Sequence, residues 1–402
     1  MRTVAGGVCA PGGFRAAAAA GQIKKPGTTR LDCALIATEF AACAAGCFTT
    51  NLVKAAPVLW DQDVCAGGGA RAIFVNSGNA NACTGEQGLA DARATAEMTA
   101  AALGIPAAQV LVCSTGVIGV PLPMDRIGVA VKACAAAIST EGGADAARAI
   151  MTTDTVPKEM AVEVDLSTGP VRIGAMAKGS GMIAPNMATM LCFITTDAMV
   201  RRETLQPLLA RCVRDSFNRI CVDNDMSTND TVLCLANGHS GTAELLEGTA
   251  DFELFAEALQ KTCTALARAL VRDGEGATKF VEITVDGAAS DGDALRIARS
   301  VAQSQLCKTA FFGQDANWGR IACAAGYSGA AFSPSGMSIF IGGLKVVENG
   351  TPTGFDEGKA AEIMRRRDLH VRVALSEGAG TAVFWTSDLS HDYVSINADY
   401  RS

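Results

Sequence analysis

The segment Lys178-Gly-Ser-Gly-Met-Ile-Ala-Pro-Asn-Met-Ala188-Thr189-Met190 places a lysine and a glycine-rich turn ahead of a hydroxyl residue that opens an apolar run, Thr189-Met-Leu-Cys-Phe-Ile194. The β propensity of that run would hold the Thr189 backbone rigid, while the glycines let the preceding chain enter a strained turn. Strain at the Ala188-Thr189 bond favours acyl transfer from nitrogen to oxygen. The Thr189 hydroxyl attacks the carbonyl of Ala188, and water then hydrolyses the ester. Thr189 would thereby become a chain terminus carrying both a nucleophilic hydroxyl and an α-amino group able to act as its base. Such an amine titrates at about 7.7 to 8 and is partly unprotonated near neutrality. The same residues also read as a glycine hairpin followed by a buried strand with a threonine at its edge.

A chain of 402 residues with 49% hydrophobic residues suggests two or three packed units rather than disorder. The net charge of -7, with scattered Lys and Arg, argues against a nucleic-acid surface and favours small-molecule partners. Fifteen cysteines form neither a Cys-x-x-Cys pair nor an even set, so free, mostly buried thiols in a reducing, cytoplasmic setting are expected. The N-terminus lacks the apolar core of a signal peptide, although an already processed organellar chain would read the same way. No run of about 18 apolar residues suggests a membrane span. His239, His370 and His391 each stand alone in sequence, and no metal site is expected.

Short apolar runs feed glycine turns: Ala72 to Val75 leads into Asn76 to Asn81, and Val110 to Cys113 into Ser114 to Gly119. Between them, Leu205, Leu208, Leu209, Cys212 and Val213 share a helical face, as do Phe255, Leu259, Cys263, Leu266 and Leu270 before Gly274. Alternation of helices and strands indicates an α/β chain. Val281 to Asp286 alternates like a strand, and a domain change is placed near there. A helix over Gly358 to Arg367 and strands near Val371 to Leu375 and Thr381 to Trp385 would complete a smaller unit, with the tail from Ile396 frayed.

Ser114-Thr115-Gly116 leaves a strand at a turn, where a hydroxyl and a backbone amide converge on a developing oxyanion, and equally where plain turn chemistry occurs. Polar clusters at Met151 to Thr155, Asp223 to Asp230 and Arg272 to Lys279 interrupt apolar surroundings. The second lacks the central glycine and terminal glutamate of an EF-hand, so turn hydrogen bonds are its favoured reading. Glu275 suits a substrate amine or a solvated loop, and Trp318 suits a site or a core. Walker, Rossmann and Gly-x-Ser-x-Gly signatures are missing from the sequence.

Taken together, these segments resemble the ornithine acetyltransferase family, the glutamate N-acetyltransferases of arginine biosynthesis. The likeness runs from Gly13-Phe-Arg-Ala16 and Phe48-Thr-Thr-Asn51 through Asn76 to Asn81, Ser114 to Gly119, Lys178 to Met190, Arg272 to Lys279 and Asp315-Ala-Asn-Trp-Gly319 to Asn397 to Ser402. It implies an αββα sandwich of the N-terminal-nucleophile type over residues 1–280, with a smaller C-terminal α/β domain over 281–402 whose tail returns to the site. It implies cleavage between Ala188 and Thr189 into an α chain (1–188) and a β chain (189–402) that assemble as α2β2. Thr189 is then the acetyl-accepting nucleophile, and Thr115 and Gly116 form the oxyanion hole. Thr152 (rather than Thr153), Lys178, Thr189, Glu275, Asn397 and Ser402 contact substrate; Ser402 departs from a terminal threonine yet keeps the hydroxyl.

The implied reaction is ping-pong transfer of acetyl from N2-acetyl-L-ornithine to L-glutamate, without cofactor or metal. The motifs do not separate members that also use acetyl-CoA as donor from those that do not, and the bifunctional reading is favoured. An N-terminal-nucleophile amidase or aminopeptidase would use the same Thr189 with water as acceptor. An inactive amino-acid-binding homologue would stay uncleaved. Cys192, inside the nucleophile strand, suggests oxidant sensitivity.

Overall fold

A computed structural model describes residues 1–184 and 190–399. Three sheets organise the chain. The first orders its strands Arg2–Val4, Lys158–Leu166, Gly169–Lys178, Leu191–Thr196, Thr231–Ala236 and Cys43–Phe48. Its neighbours are antiparallel except where Leu191–Thr196 runs parallel to Thr231–Ala236. The second orders Phe14–Ala19, Cys33–Thr38, Ala72–Asn79 and Val110–Val117, the last two parallel.

The near-continuous apolar character of these strands has a structural cause: both faces of each sheet are covered. Alternate residues of the strand Leu191–Thr196 go opposite ways. Leu191 and Phe193 point between the two sheets, into a shared core with Phe14, Ile36, Ile73 and Leu111. Cys192 and Ile194 point outward, beneath the helices Arg202–Arg214 and Ala250–Arg272. The second sheet is covered outside by Gly85–Leu103 and Met124–Ala137, packed on Leu35, Phe74 and Val112. The result is helix, sheet, sheet, helix.

The two helical faces expected from periodicity are the buried faces. Phe255, Leu259, Cys263, Leu266 and Leu270 are 3% exposed or less, and each large apolar side chain so buried contributes roughly 1.5 to 3 kcal/mol. Thr249 caps that helix through the Phe252 N–H, acidic Asp251 and Glu253 sit in its first turn, and Arg272 lies in its last.

The third sheet orders Ile220–Cys221, Gly380–Ser387, Phe280–Ala288, Asp368–Ala374, Ser338–Ile341, Leu344–Glu348 and Thr351–Pro352. Ile220–Cys221, far upstream of the rest, joins its edge parallel to Trp385–Thr386. Helices Asp291–Gln303 and Trp318–Gly326 contribute to its core, with Trp318 packed against it.

Several element ends differ from the sequence reading. Strands Ala72–Asn79 and Val110–Val117 continue through what reads as turn, because each extended residue still finds a partner across the pair. The helix expected to reach Arg367 stops at Met364, and the following strand begins at Asp368. The tail is not frayed at Ile396: His391–Asp399 is helical, its start held by Ser390, whose hydroxyl donates to Gly276 O at 2.6 Å. No helix among the described residues is long and apolar enough to cross a membrane.

All fifteen cysteines are free, and thirteen are buried or half-buried. Burial raises the Cys192 thiol well above its usual range. Reactivity needs the thiolate, so the oxidant sensitivity expected of Cys192 finds no support.

Candidate active site

Parallel pairing brings the ends of two strands of the second sheet side by side, with Gly78 opposite Gly116. Gly116 has φ +135°, and a Cβ there would lie 2.3 Å from the Gly78 carbonyl carbon. Only glycine allows this approach. Thr115, buried beside it, has its hydroxyl 3.3 Å from Nζ of Lys178. Lys178 ends a strand of the first sheet and lies in register with Leu191. The chain immediately before Leu191 therefore emerges beside Lys178 and Thr115.

Lys178 is fully buried. Burial lowers its pKa, opposed by the charges of Asp154, Asp230 and Glu275 and reinforced by Lys158. A lysine so placed exchanges protons closer to neutrality than an exposed one.

An ion triad ties neighbouring loops together. Lys158 Nζ donates to Asp154 Oδ1 at 2.7 Å and to Asp273 Oδ2 at 2.5 Å. Asp154 also accepts the N–H of Gly179 at 2.7 Å and of Thr152 at 3.0 Å. Burial pushes the Asp154 carboxyl up, but Lys178, Lys158 and these hydrogen bonds outweigh it and hold the group at about 2. One carboxylate thus ties the loop carrying Thr152 to the turn after Lys178. Asp273 does the same for Thr155, whose N–H lies 3.0 Å from Oδ2 and whose hydroxyl donates to Oδ1.

The glycine turn itself is built around Glu275. Its backbone N–H donates to Ser180 O at 2.8 Å, and a Cβ on Gly181 would sit 2.3 Å from the Glu275 carboxylate. Asn397 Nδ2 donates to Glu275 Oε2 at 2.8 Å, bringing the C-terminal helix to the site. Asp223 accepts the N–H groups of Met182 (2.6 Å) and Ile183 (2.8 Å), yet burial still pushes it up to about 6. Two aspartates of the run from Asp223 to Asp230 thus accept backbone amides, Asp223 those of Met182 and Ile183 and Asp230 that of Met190.

A cleft of about 90 Å³ brings together Thr115, Gly116, Thr152, Lys178, Glu275 and Asn397. These were proposed from five separate stretches of sequence. Thr153 lines it too, with its hydroxyl 3.2 Å from that of Ser180. Ala188, Thr189 and Ser402 lie outside the described residues. Sequence reading missed Ser227, Thr228 and Asn229 as cleft residues, although the polar run containing them was conspicuous. Asn229 joins the two sheets, donating to Ala80 O at 2.6 Å and Ser114 O at 2.8 Å. It also missed the Lys158 triad, which has no local signature. Trp318 and the histidines lie elsewhere: His239 packs on Phe40, His391 on Phe312, and His370 pairs with Thr284.

Two sheets between their covering helices, with a cleft at the head of the strand Leu191–Thr196, define an αββα protein. Within that class the chain belongs to the ArgJ family, whose match extends over residues 15–402. It is 51% identical over 402 residues to the arginine biosynthesis bifunctional protein ArgJ of Symbiobacterium thermophilum, covering 100% of both chains. With that of Geobacter sulfurreducens it shares 50% over 391 residues, covering 97% of this chain and 99% of the relative. Among solved structures it resembles the ArgJ protein of Bacillus halodurans at 44% identity and TM-score 0.51, covering 52% of this chain and 98% of that one. It also resembles the ornithine acetyltransferase of Mycobacterium tuberculosis complexed with ornithine, at 47% identity and TM-score 0.42, covering 46% and 97%.

Proposed function

We propose that this chain cuts itself between Ala188 and Thr189 and then transfers acetyl from N2-acetyl-L-ornithine to L-glutamate through an acetyl-Thr189 intermediate. The observation that carries this reading is the convergence of Thr115, Gly116, Thr152, Lys178, Glu275 and Asn397 in one cleft where the strand beginning at Leu191 emerges. Family membership and the relatives' naming for arginine biosynthesis support the substrate class. The solved Bacillus halodurans chain supports self-cleavage: it is matched almost whole yet spans about half of this chain, as a fragment of 189–402 would.

In the transfer, the Thr189 amine takes the proton of its own hydroxyl as oxygen attacks the acetyl carbonyl. The Gly116 amide and Thr115 hydroxyl hold the developing oxyanion, and Lys178 directs that hydroxyl. The proton passes to the departing ornithine amine. The glutamate amine then attacks the acetyl ester, the same hole holds the second oxyanion, and Thr189 regains its proton. Glu275, steadied by Asn397, pairs with a substrate ammonium, and Thr152 and Ser402 complete the contacts. No cofactor enters these steps. Acetyl-CoA serves as a further donor to glutamate. Residues 1–280 form the catalytic sandwich and 281–402 the smaller unit, and the two fragments assemble as α2β2 in the cytoplasm.

Denatured intact mass after brief exposure to N-acetyl-L-ornithine, with Thr189→Ala as control, tests the reading. Two fragments broken before Thr189, with one acetyl on the second only, are expected. A single unmodified chain would overturn it. Acetyl release that proceeds equally without glutamate would favour the amidase instead.

A further inference from the structure

A second cavity, of about 260 Å³, shares Thr152 with the cleft and has Lys24, Lys25 and Arg30 in its lining. The loop that carries these cations is braced along its length. Asp32 is the acid of that lining among the described residues, and both its oxygens are engaged: Oδ1 accepts the Gly21 N–H at 2.5 Å and Oδ2 the Ile23 N–H at 2.7 Å. Gln22 Oε1 accepts the Gly27 N–H at 2.8 Å. Arg30 Nη2 donates to Met151 O at 2.8 Å and to Thr152 O at 3.2 Å, which ties the basic loop to a loop of the cleft. Gly78 forms part of the cavity wall at φ +99°, and a Cβ there would lie 2.9 Å from the Lys24 Cβ. Gly78 is also the residue opposite Gly116, so Lys24 packs one strand away from Gly116. Three like charges around one cavity favour an anion.

We propose that this cavity is the anion subsite of the acetyl acceptor: Lys24 and Lys25, with Arg30, take the side-chain carboxylate of L-glutamate. The inference rests on the transfer reading, in which two substrates of opposite side-chain charge use one cleft in turn. Among the described residues, the charged lining of that cleft is Glu275 and Lys178. Glu275 suits the side-chain ammonium of ornithine and repels a carboxylate. Lys178 is fully buried, with its Nζ 3.3 Å from the Thr115 hydroxyl and its charge already facing Asp154, Asp230 and Glu275. The glutamate side chain therefore needs cations elsewhere within its reach. Four bonds separate its amine from its side-chain carboxyl carbon, about 5 Å when extended, and neighbouring strands lie about 4.8 Å apart. An acceptor whose amine attacks beside Gly116 thus spans the distance to Gly78, where the basic cavity begins. The α-amino acid end is common to both substrates, so discrimination falls on these two side-chain subsites.

Steady-state transfer by the full chain carrying Lys24→Met and Lys25→Met together tests this, with L-glutamate and L-glutamine as alternative acceptors. The two acceptors share a backbone and differ in side-chain charge. KM for glutamate should rise roughly 10-fold, the scale of two exposed ion pairs, while KM for N2-acetyl-L-ornithine stays near wild type. The preference for glutamate over glutamine should fall by the same factor. Added salt, which weakens glutamate binding to the wild type, should have little effect on the variant. A structural defect acts on both acceptors alike, so an equal loss with glutamine would overturn the proposal, as would an unchanged KM for glutamate. A rise in KM confined to acetyl-CoA would also overturn it and assign the cations to that donor's phosphates. Both lysines are exposed, so the variant should fold, and Lys25→Met alone should show a smaller change in the same direction. A wild-type enzyme that forms no N-acetylglutamate would overturn the transfer reading and this proposal with it, and is told apart because it appears without any mutation.

Discussion

Replacing Lys158 with methionine removes a cation that contacts both Asp154 and Asp273. Its side chain is 1% exposed, and those of the two aspartates are 0% and 6% exposed. Methionine fills a similar volume, so the loss is electrostatic: two buried carboxylates face each other without their common partner. Breaking a buried pair in this way costs about 3 to 5 kcal/mol. An unfolding entropy of about 2.1 cal/mol/K per residue gives about 0.8 kcal/mol/K for 402 residues, hence a fall of about 4 to 6 °C in melting temperature. Differential scanning calorimetry on cleaved protein at pH 7 measures it. The acid side supplies a second reading. Asp154 is held at about 2, below its unfolded value of about 3.9, so it contributes roughly 2 to 3 kcal/mol that is present above pH 4 and lost as pH falls towards 2. In Lys158→Met that acid-dependent loss should shrink. Because Asp154 also holds the amides of Thr152 and Gly179, acetyl transfer should weaken as well. A variant that melts within about 1 °C of wild type and keeps its acid profile would refute the reasoning.

Thr115→Val keeps the shape and removes the hydroxyl; acetylation of Thr189 should slow by about 10²- to 10³-fold, read by rapid-quench mass spectrometry, and an unchanged rate would exclude Thr115 from the oxyanion hole. Gly116→Ala places a methyl 2.3 Å from the Gly78 backbone at φ +135°, so soluble yield and melting temperature should both fall, by at least about 2 kcal/mol in stability. A normally stable alanine variant would show that the strand pair can spread. Glu275→Gln retains an acceptor for Asn397 and loses the charge: KM for acetylornithine should rise about 10-fold while self-cleavage proceeds, and a defect in cleavage alone would contradict a substrate role.

Three residues of the site were marked locally in the sequence, while Thr152 and Asn397 were named only through the family resemblance. A glycine that must accept φ +135°, a lysine ending a strand and a glutamate between two glycines each leave a mark within a few residues. Helical faces were equally legible, since burial on one side imposes a period of 3.6 on the apolar residues. Strand ends were not. Whether Asn76 to Asn79 is turn or strand depends on whether a neighbour supplies hydrogen bonds, and that neighbour is about forty residues away.

Sequence alone determined the α/β class, the two long helical faces and the free thiols, because side-chain type and spacing carry that information directly; the set of residues that meet in the cleft came from the resemblance to the ornithine acetyltransferase family. Only the tertiary structure decided that a buried Lys158 would bind Asp154 and Asp273 together, that Asn229 would join the sheets, that Ile220–Cys221 would enter a sheet formed mainly by later residues, and that a buried Asp230 would hold the Met190 amide. Each of these depends on contacts between segments distant in the chain. The energy of burying a charge or a polar atom is set by what surrounds it after folding, and no local pattern encodes that surrounding.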